Sequence, residues 1–243
     1  MNWKLQVGRI ANSLEQRMIR SGSRFARNNY PYGRDWMFDV KRILNDVSVI
    51  VDAGANIGSV SLDLNFWFPD ASIYAFEPVT ETFKLLNDNV SGKNKIQPVK
   101  MGLGAKHEQI QILLSGENSI NSLKVTEVNR GIKGAEEITI TTLQGFLKEQ
   151  GLNHIDILKI DVEGFEFEVL EGCGDLLNTG IKCIYLEVGY SRDPTKVHFS
   201  DVEAFMEKND FELCGMYETR RHMFDKRRLW YSNNLYIKKS LLA

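Results

Sequence analysis

Apolar positions along this chain fall into short runs and helix-spaced stripes that alternate over most of its length. Val47, Val49, Ile50 and Val51 run into Asp52-Ala53 and predict a buried strand over Val49–Ala53; Val60, Leu64 and Trp67 then mark one face of a helix. Ile73–Phe76 reads as a second strand, Phe83, Leu85, Leu86 and Val90 as a second helix, and Lys95–Met101 as a third strand. Such alternation implies a parallel sheet with helices on both faces and right-handed crossovers. Gln109–Leu114 and Glu137–Thr142 instead alternate with period 2. They predict an inserted hairpin, with Asn118–Gly134 as its mobile connecting loop. Beyond them Asp156–Asp161 is a strand, Val169, Cys173, Leu176 and Leu177 carry a helix, and Ile181–Val188 is a further strand.

The chemistry gathers at the strand ends. Asp52-Ala53-Gly54-Ala55-Asn56-Ile57-Gly58 joins the first strand to its helix through glycines, a usual place for a nucleotide-like cofactor. It fails the G-x-G-x-x-G frame, with Asp52 and Ile57 standing where glycines belong. A carboxylate there repels a pyrophosphate but suits a ligand bearing an ammonium and a sulfonium, so the turn points to S-adenosylmethionine rather than a nicotinamide dinucleotide. Glu77 ends the second strand near the spacing at which an acidic residue accepts hydrogen bonds from ribose hydroxyls, about 20 residues past the turn. Pro78 stops that strand, having no N–H for the ladder. Asp161 and Glu187 end two further strands, so Asp52, Glu77, Asp161 and Glu187 are expected to border one crevice. Mutual repulsion among them calls for cations, from the cofactor and from Lys159, which shares a sheet face with Asp161. Lys159 is equally open to a buried ion pair with Glu187 or Glu163.

Composition changes this picture little. The 243 residues, 43% hydrophobic and 26% charged with a net charge of −2, suit one sizeable globular domain and give no general reason to bind nucleic acid. The stretch to Arg34 differs: Lys4, Arg9, Arg17, Arg20, Arg24, Arg27 and Arg34 oppose Glu15 alone, interleaved with Leu5, Ile10, Leu14, Met18, Ile19 and Phe25 at roughly helical spacing. Residues 1–30 are therefore read as a basic helical arm, packed on the body (31–243) or on a second subunit as a homodimer contact, with a membrane surface or anionic partner as the alternative. No apolar run is long enough to span a bilayer and the N-terminus lacks a signal-peptide core, which places the expected location in the cytoplasm. Cys173, Cys183 and Cys214 sit among apolar neighbours and are expected as reduced thiols.

Three separated motifs carry a family resemblance: Asp52-x-Gly54-Ala55-Asn56-x-Gly58; Phe76-Glu77-Pro78; and Leu158-Lys159-Ile160-Asp161-Val162-Glu163-Gly164-Phe165-Glu166 with Leu170-Glu171-Gly172. In this order they resemble the FkbM-type S-adenosylmethionine-dependent methyltransferases, from about Tyr32 to Tyr236. The resemblance implies a class I, Rossmann-like methyltransferase fold: seven strands in a mostly parallel sheet with the last antiparallel, Phe211–Met216 sixth and Leu229–Ile237 seventh. It also implies O-methylation of a hydroxyl on a sugar, glycoside, polyketide or related small metabolite. Cofactor contacts are then expected from Asp52, Gly54, Ala55, Asn56, Gly58, Glu77 and Pro78, from Met101 and Gly102 beside the adenine, and from Asp161 near the methionine end.

An alcohol that keeps its proton is a poor nucleophile, so a general base is expected among Asp161, Glu163 and Glu187, with His198 after them. Lys159 among these carboxylates argues against a divalent metal. The acceptor pocket is expected against the arm, the Asn118–Gly134 loop, the Tyr190–Pro194 loop and the Tyr217–Arg228 segment. Arg192, Arg220, Arg221, His222, Arg227 and Arg228 lie there with Tyr190, Tyr217, Trp230 and Tyr231, cations and aromatics suited to a sugar. The rival from another class is a non-catalytic nucleoside-binding module that keeps the cofactor and serves a partner through the arm.

Overall fold

The computed structural model describes residues 30–115, 132–192 and 196–242. The expected arm, most of the 118–134 loop, and Asp193 and Pro194 lie outside the described residues. Helix α1 (Trp36–Ile43) leads into strand β1 (Val49–Ala53), followed by α2 (Ser59–Trp67), β2 (Ser72–Phe76), α3 (Thr80–Asn89) and β3 (Ile96–Val99). Strands β4 (Gly102–Leu103), β5 (Glu108–Ser115) and β6 (Ile132–Thr141) come next, then α4 (Leu143–Glu149), β7 (Ile155–Ile160), α5 (Glu166–Glu171) and α6 (Leu176–Thr179). The described chain closes with β8 (Ile181–Gly189), α7 (Phe199–Lys208), β9 (Phe211–Arg221) and β10 (Leu229–Lys238).

Seven strands form one sheet in the order β3-β2-β1-β7-β8-β10-β9. Only β10 runs against its neighbours, pairing antiparallel with both β8 and β9. The chain starts at the sheet's middle, works outward through β2 and β3, and returns to β7 beside β1. That reversal opens a crevice at the carboxyl ends of β1 and β7, where α/β sheets take their ligands.

Period-2 alternation divides the core between the two faces. Val49, Val51 and Ala53 of β1 join Tyr74, Phe76, Leu158 and Ile160 under α4, α5, α6 and α7. Ile50 joins Ile73, Ala75, Ile157 and Cys183 under α1, α2 and α3. Strands buried on both faces read as continuous apolar runs, which is why β1 and β7 were legible to within a residue. Asp156 is buried at the start of β7 and draws Ser48 and Val49 N–H groups (2.6 and 2.9 Å) and the Lys182 ammonium (2.7 Å). Burial disfavours its charge, but these partners prevail and hold its carboxyl below the usual range.

The structure departs from the sequence expectation in several places. The third strand ends at Val99 because Met101 turns away and Gly102-Leu103 pairs with Ile140-Thr141 in a second, three-stranded sheet, β4-β6-β5. The expected hairpin is the rest of that sheet. The helix expected through Val169 to Leu177 is split into α5 and α6: Gly174 takes φ +51°, and a side chain at Gly172 would overlap the Gly104 carbonyl. Strand β9 runs on to Arg221, so much of the expected loop before Arg228 is a β-hairpin. Helix α7 was not anticipated, although Phe199, Val202, Phe205 and Met206 carry its period. Cys173 and Cys183 are buried and Cys214 half-buried, all as free thiols.

Candidate active site

The turn after β1 is built by its backbone. Gly54 and Gly58 take φ +76° and +87°, and Asn56 takes φ +50°. The Gly54 and Ala55 N–H groups donate to the Phe76 carbonyl (3.1 and 2.8 Å), fastening the turn to the end of β2. Gly58 opens α2 and leaves no room for a side chain beside Leu86 and Val90. Gly54 packs its α-carbon against the backbone of Asp161, so the two strand ends meet.

Lys159 sits at the centre of this arrangement. It stands opposite Asp52 in the β1–β7 register, and its Nζ lies 3.0 Å from Asp52 Oδ1 and 3.7 Å from Asp161 Oδ2. The same ammonium donates to the Gly54 carbonyl (2.9 Å), while Ser61 of α2 donates to Asp52 Oδ2 (2.6 Å). Burial disfavours the ammonium, yet Asp52 and Asp161 outweigh it and hold the Lys159 pKa above its ordinary value. The buried ion pair open to Lys159 is thus made with Asp52 and not with Glu187. Glu187 instead pairs with Lys196, whose ammonium also lies 4.6 Å from the Tyr231 ring. Asp52 is fully buried behind the turn and faces Lys159 rather than the crevice.

Two cavities adjoin these groups. A smaller one of about 120 Å³ lies between the turn (Gly54, Asn56), Glu77-Pro78-Val79, β4 (Gly102, Leu103), the apolar face of the inserted sheet (Ile112, Ile138, Ile140) and the Asp161–Phe165 turn. A larger one of about 610 Å³ is walled by Gly33–Met37, by Val60, Asp63 and Trp67, by Lys159–Asp161 and Tyr185, and by Met216–Thr219 with Asn233. Asp161, half-exposed, borders both.

Glu77 is the buried acid of the smaller cavity. Its oxygens accept from the Val79 N–H (3.0 Å) and the Asn56 N–H (3.2 Å), yet burial dominates and raises its pKa to about 7. Over it, Glu136 of β6 accepts from the Thr80 hydroxyl and N–H, tying the inserted sheet to the start of α3.

Of the residues expected at the cofactor, Gly54, Asn56, Glu77, Pro78, Gly102 and Asp161 line the smaller cavity. Asp52, Ala55 and Gly58 build the turn from behind. Met101 packs on the core instead. Of the base candidates, Asp161 and Glu163 line it as well, Glu163 at φ +52°. Glu187 and His198 border neither cavity; His198 caps α7, its ring accepting from the Ser200 N–H. Of the expected acceptor-pocket residues, Tyr217 lines the larger cavity, whereas Arg192 pairs with Asp201 and Arg227 with Asp225. The mismatch has a simple cause: β9 carries its arginines past the crevice and out along a hairpin.

Two further buried groups, one behind the Asp161–Phe165 turn and one at the larger cavity, were not marked out by the sequence reading. Glu166, 1% exposed, accepts from the Gly164 N–H (3.0 Å), keeps Oε2 without a hydrogen-bond partner, and has its pKa raised to about 7 by burial. Tyr185 stacks on Trp36 (4.0 Å between centroids, 10° between planes), and its buried hydroxyl at the larger cavity also lacks a partner. The Glu163–Glu166 spacing in the third motif offered a signal for the first. Nothing in the alternation of β8 marked Tyr185.

A doubly wound sheet with one reversed strand and a cavity over its first glycine turn defines a class I, Rossmann-like methyltransferase fold. The family model described as the methyltransferase FkbM domain matches residues 52–213, and the chain belongs to that family. Methyltransferase 1 of Beauveria bassiana is 32% identical over 160 residues, covering 58% of this chain and 64% of that protein. The hexuronic acid methyltransferase AglP of Haloferax volcanii is 29% identical over 166 residues, 65% of each chain. The chain thus spans just under two thirds of these relatives. Among solved structures, the METTL16 MTase domain shares the fold at a TM-score of 0.50 and 10% identity, over 83% of this chain and 66% of that one.

Proposed function

We propose that this chain binds S-adenosylmethionine in the smaller cavity and transfers its methyl group to a hydroxyl of a sugar, glycoside or polyketide-type small molecule held in the larger one. The observation that carries this reading is the place of Asp161, the acidic residue shared by both cavities. The smaller cavity fits the nucleoside half of the cofactor: Glu77 offers carboxylate oxygens for ribose hydroxyls, Gly54 and Asn56 offer close backbone, and Leu103, Ile112, Ile138 and Phe165 offer apolar walls for a purine. When bound, the cofactor supplies an electrophilic methyl group on a sulfonium. The chain's own part is to hold the acceptor in line and to take its proton.

Asp161 is the group for that proton. It is half-exposed, so the proton passes on to solvent, and Lys159 Nζ, 3.7 Å away, orients the carboxylate. Glu187, paired with Lys196, and His198, engaged as a cap, are poorly placed for the task. A relative named for a hexuronic acid supports a sugar-type acceptor.

Two outcomes test the reading. In calorimetric titrations S-adenosylhomocysteine is expected to bind and NAD to fail, with Glu77→Gln weakening S-adenosylhomocysteine binding by roughly 10- to 100-fold. Ribose hydroxyls donate to the ionised carboxylate, and Glu77 titrates near 7 in the free protein. Affinity should therefore fall below that pH by up to about tenfold per unit, and Glu77→Gln should flatten the dependence. Binding of NAD alone would defeat the cofactor assignment. With saturating labelled cofactor and a library of hydroxylated acceptors, Asp161→Asn is expected to lower transfer by about 10²- to 10⁴-fold. Full activity in Asp161→Asn would remove it as the base.

A further inference from the structure

The arginines that the crevice does not use lead to a separate surface. Strands β9 and β10 stay paired out to Arg221 and Leu229, and the His222 N–H donates to the Arg228 carbonyl (2.9 Å) to close the hairpin. Its tip is ordered: the Arg228 N–H donates to the Asp225 carbonyl (3.0 Å), and the Arg221 guanidinium reaches the carbonyls of Lys226 and Arg227 (both 3.3 Å). At the apex two adjacent apolar side chains face solvent, Met223 at 64% and Phe224 at 88% exposure, the latter the most exposed large hydrophobic among the described residues. Immediately behind them stand Arg220, Arg221, Lys226, Arg227 and Arg228, all exposed, against Asp225 alone, which Arg227 neutralises (3.0 Å).

We propose that this hairpin tip docks on an anionic lipid surface, Met223 and Phe224 entering the headgroup boundary and the ring of cations meeting the phosphates. An exposed aromatic is costly to leave in water, and one such side chain beside a methionine is too narrow a patch for a protein interface. It matches the few ångströms of depth at which interfacial anchors sit. The cations lie two to four residues from the apex pair. At about 3.3 Å per residue this sets them at headgroup level while the apex is immersed. They stand out on a chain whose net charge is −2, so the attraction is local to the tip. The same strand β9 lines the larger cavity at Met216–Thr219, so docking holds that cavity's mouth within roughly 20 Å of the bilayer. The inference stands on the hairpin alone and does not depend on the methyl-transfer reading.

Flotation of the full chain with lipid vesicles tests it. The protein is expected to float with vesicles of phosphatidylcholine mixed with phosphatidylglycerol, to stay behind with phosphatidylcholine alone, and to be released by high salt. Met223→Ser/Phe224→Ser should lower the bound fraction about tenfold or more at unchanged Tm and circular dichroism, since both side chains are exposed; Lys226→Gln/Arg228→Gln should lower it several-fold. Failure of the wild type to bind anionic vesicles would overturn the proposal, including the case in which the tip instead retains a protein partner. Equal binding by the Met223/Phe224 variant would also overturn it and shift membrane binding to the basic sequence before Arg34.

Discussion

Gly54→Ala is expected to unfold the site and much of the protein's stability with it. A β-carbon there would overlap the Asp161 carbonyl oxygen and stand 2.9 Å from its carbonyl carbon, and both atoms are backbone. No rotamer relieves that clash, because β1 and β7 are hydrogen-bonded neighbours and would have to part. The left-handed φ of +76° adds about 1–2 kcal/mol for any residue with a side chain. Together the loss should reach about 4 kcal/mol, the range reserved for a structural conflict. For a chain of this size that is a fall in Tm on the order of 10 °C, with S-adenosylhomocysteine binding lost. Gly33→Ala is the control. Its φ is +86° but nothing lies within 4 Å of the added carbon, so about 1 kcal/mol is expected. Denaturant melts of the two variants separate the terms, and a Gly54→Ala protein as stable as Gly33→Ala would show that the strand ends do not meet as described.

Lys159→Met is expected to cost about 3–5 kcal/mol, because it leaves the fully buried Asp52 with the Ser61 hydroxyl in place of an ammonium. The added substitution Asp52→Asn should recover a large part of that loss, since the unpaired charge and not the missing lysine is the penalty. Non-additivity in this cycle is the readout; strictly additive losses would mean the two groups do not interact. The pH dependence follows from the raised pKa of Lys159. Its contribution is fully present below the unfolded lysine value of about 10.4 and is lost only as pH rises through the higher folded value. Wild type and variant should therefore differ by a constant amount from the lysine across neutral pH and converge in strong alkali. The single variant should also weaken cofactor binding, for the Gly54 carbonyl and Asp161 lose the same partner.

The roles of Asp52 and Lys159 mark where the sequence became ambiguous. Each was visible as a charge at the end of an apolar run, and period 2 placed Lys159 on the face of Asp161. Their pairing with one another was not visible. It depends on β1 and β7 becoming neighbours in one register, although more than a hundred residues separate them, and that adjacency is a property of the sheet order. Glu163 and Glu187 were equally eligible partners by local pattern. Only the position of Lys196 next to Glu187 removed one of them.

Local sequence determined the strands buried on both faces, the glycine turn after the first, and the acids at the strand ends, because each follows from short-range sterics and from the periodicity of apolar side chains. It determined the inserted hairpin as well, through the alternation of Gln109–Leu114 and Glu137–Thr142. The tertiary structure decided which acid is exposed and which is sealed: Asp161 borders both cavities while Asp52 lies at 0% exposure under Lys159, a difference of packing depth that no spacing encodes. It decided the partnerless burial of Glu166 Oε2 and the Tyr185 hydroxyl. It also sent the arginines of the β9–β10 connection away from the crevice, since strand pairing beyond Tyr217 carried them outward before the chain could turn back. Burial and charge pairing are sums over distant segments, and those sums exist only once the sheet is assembled.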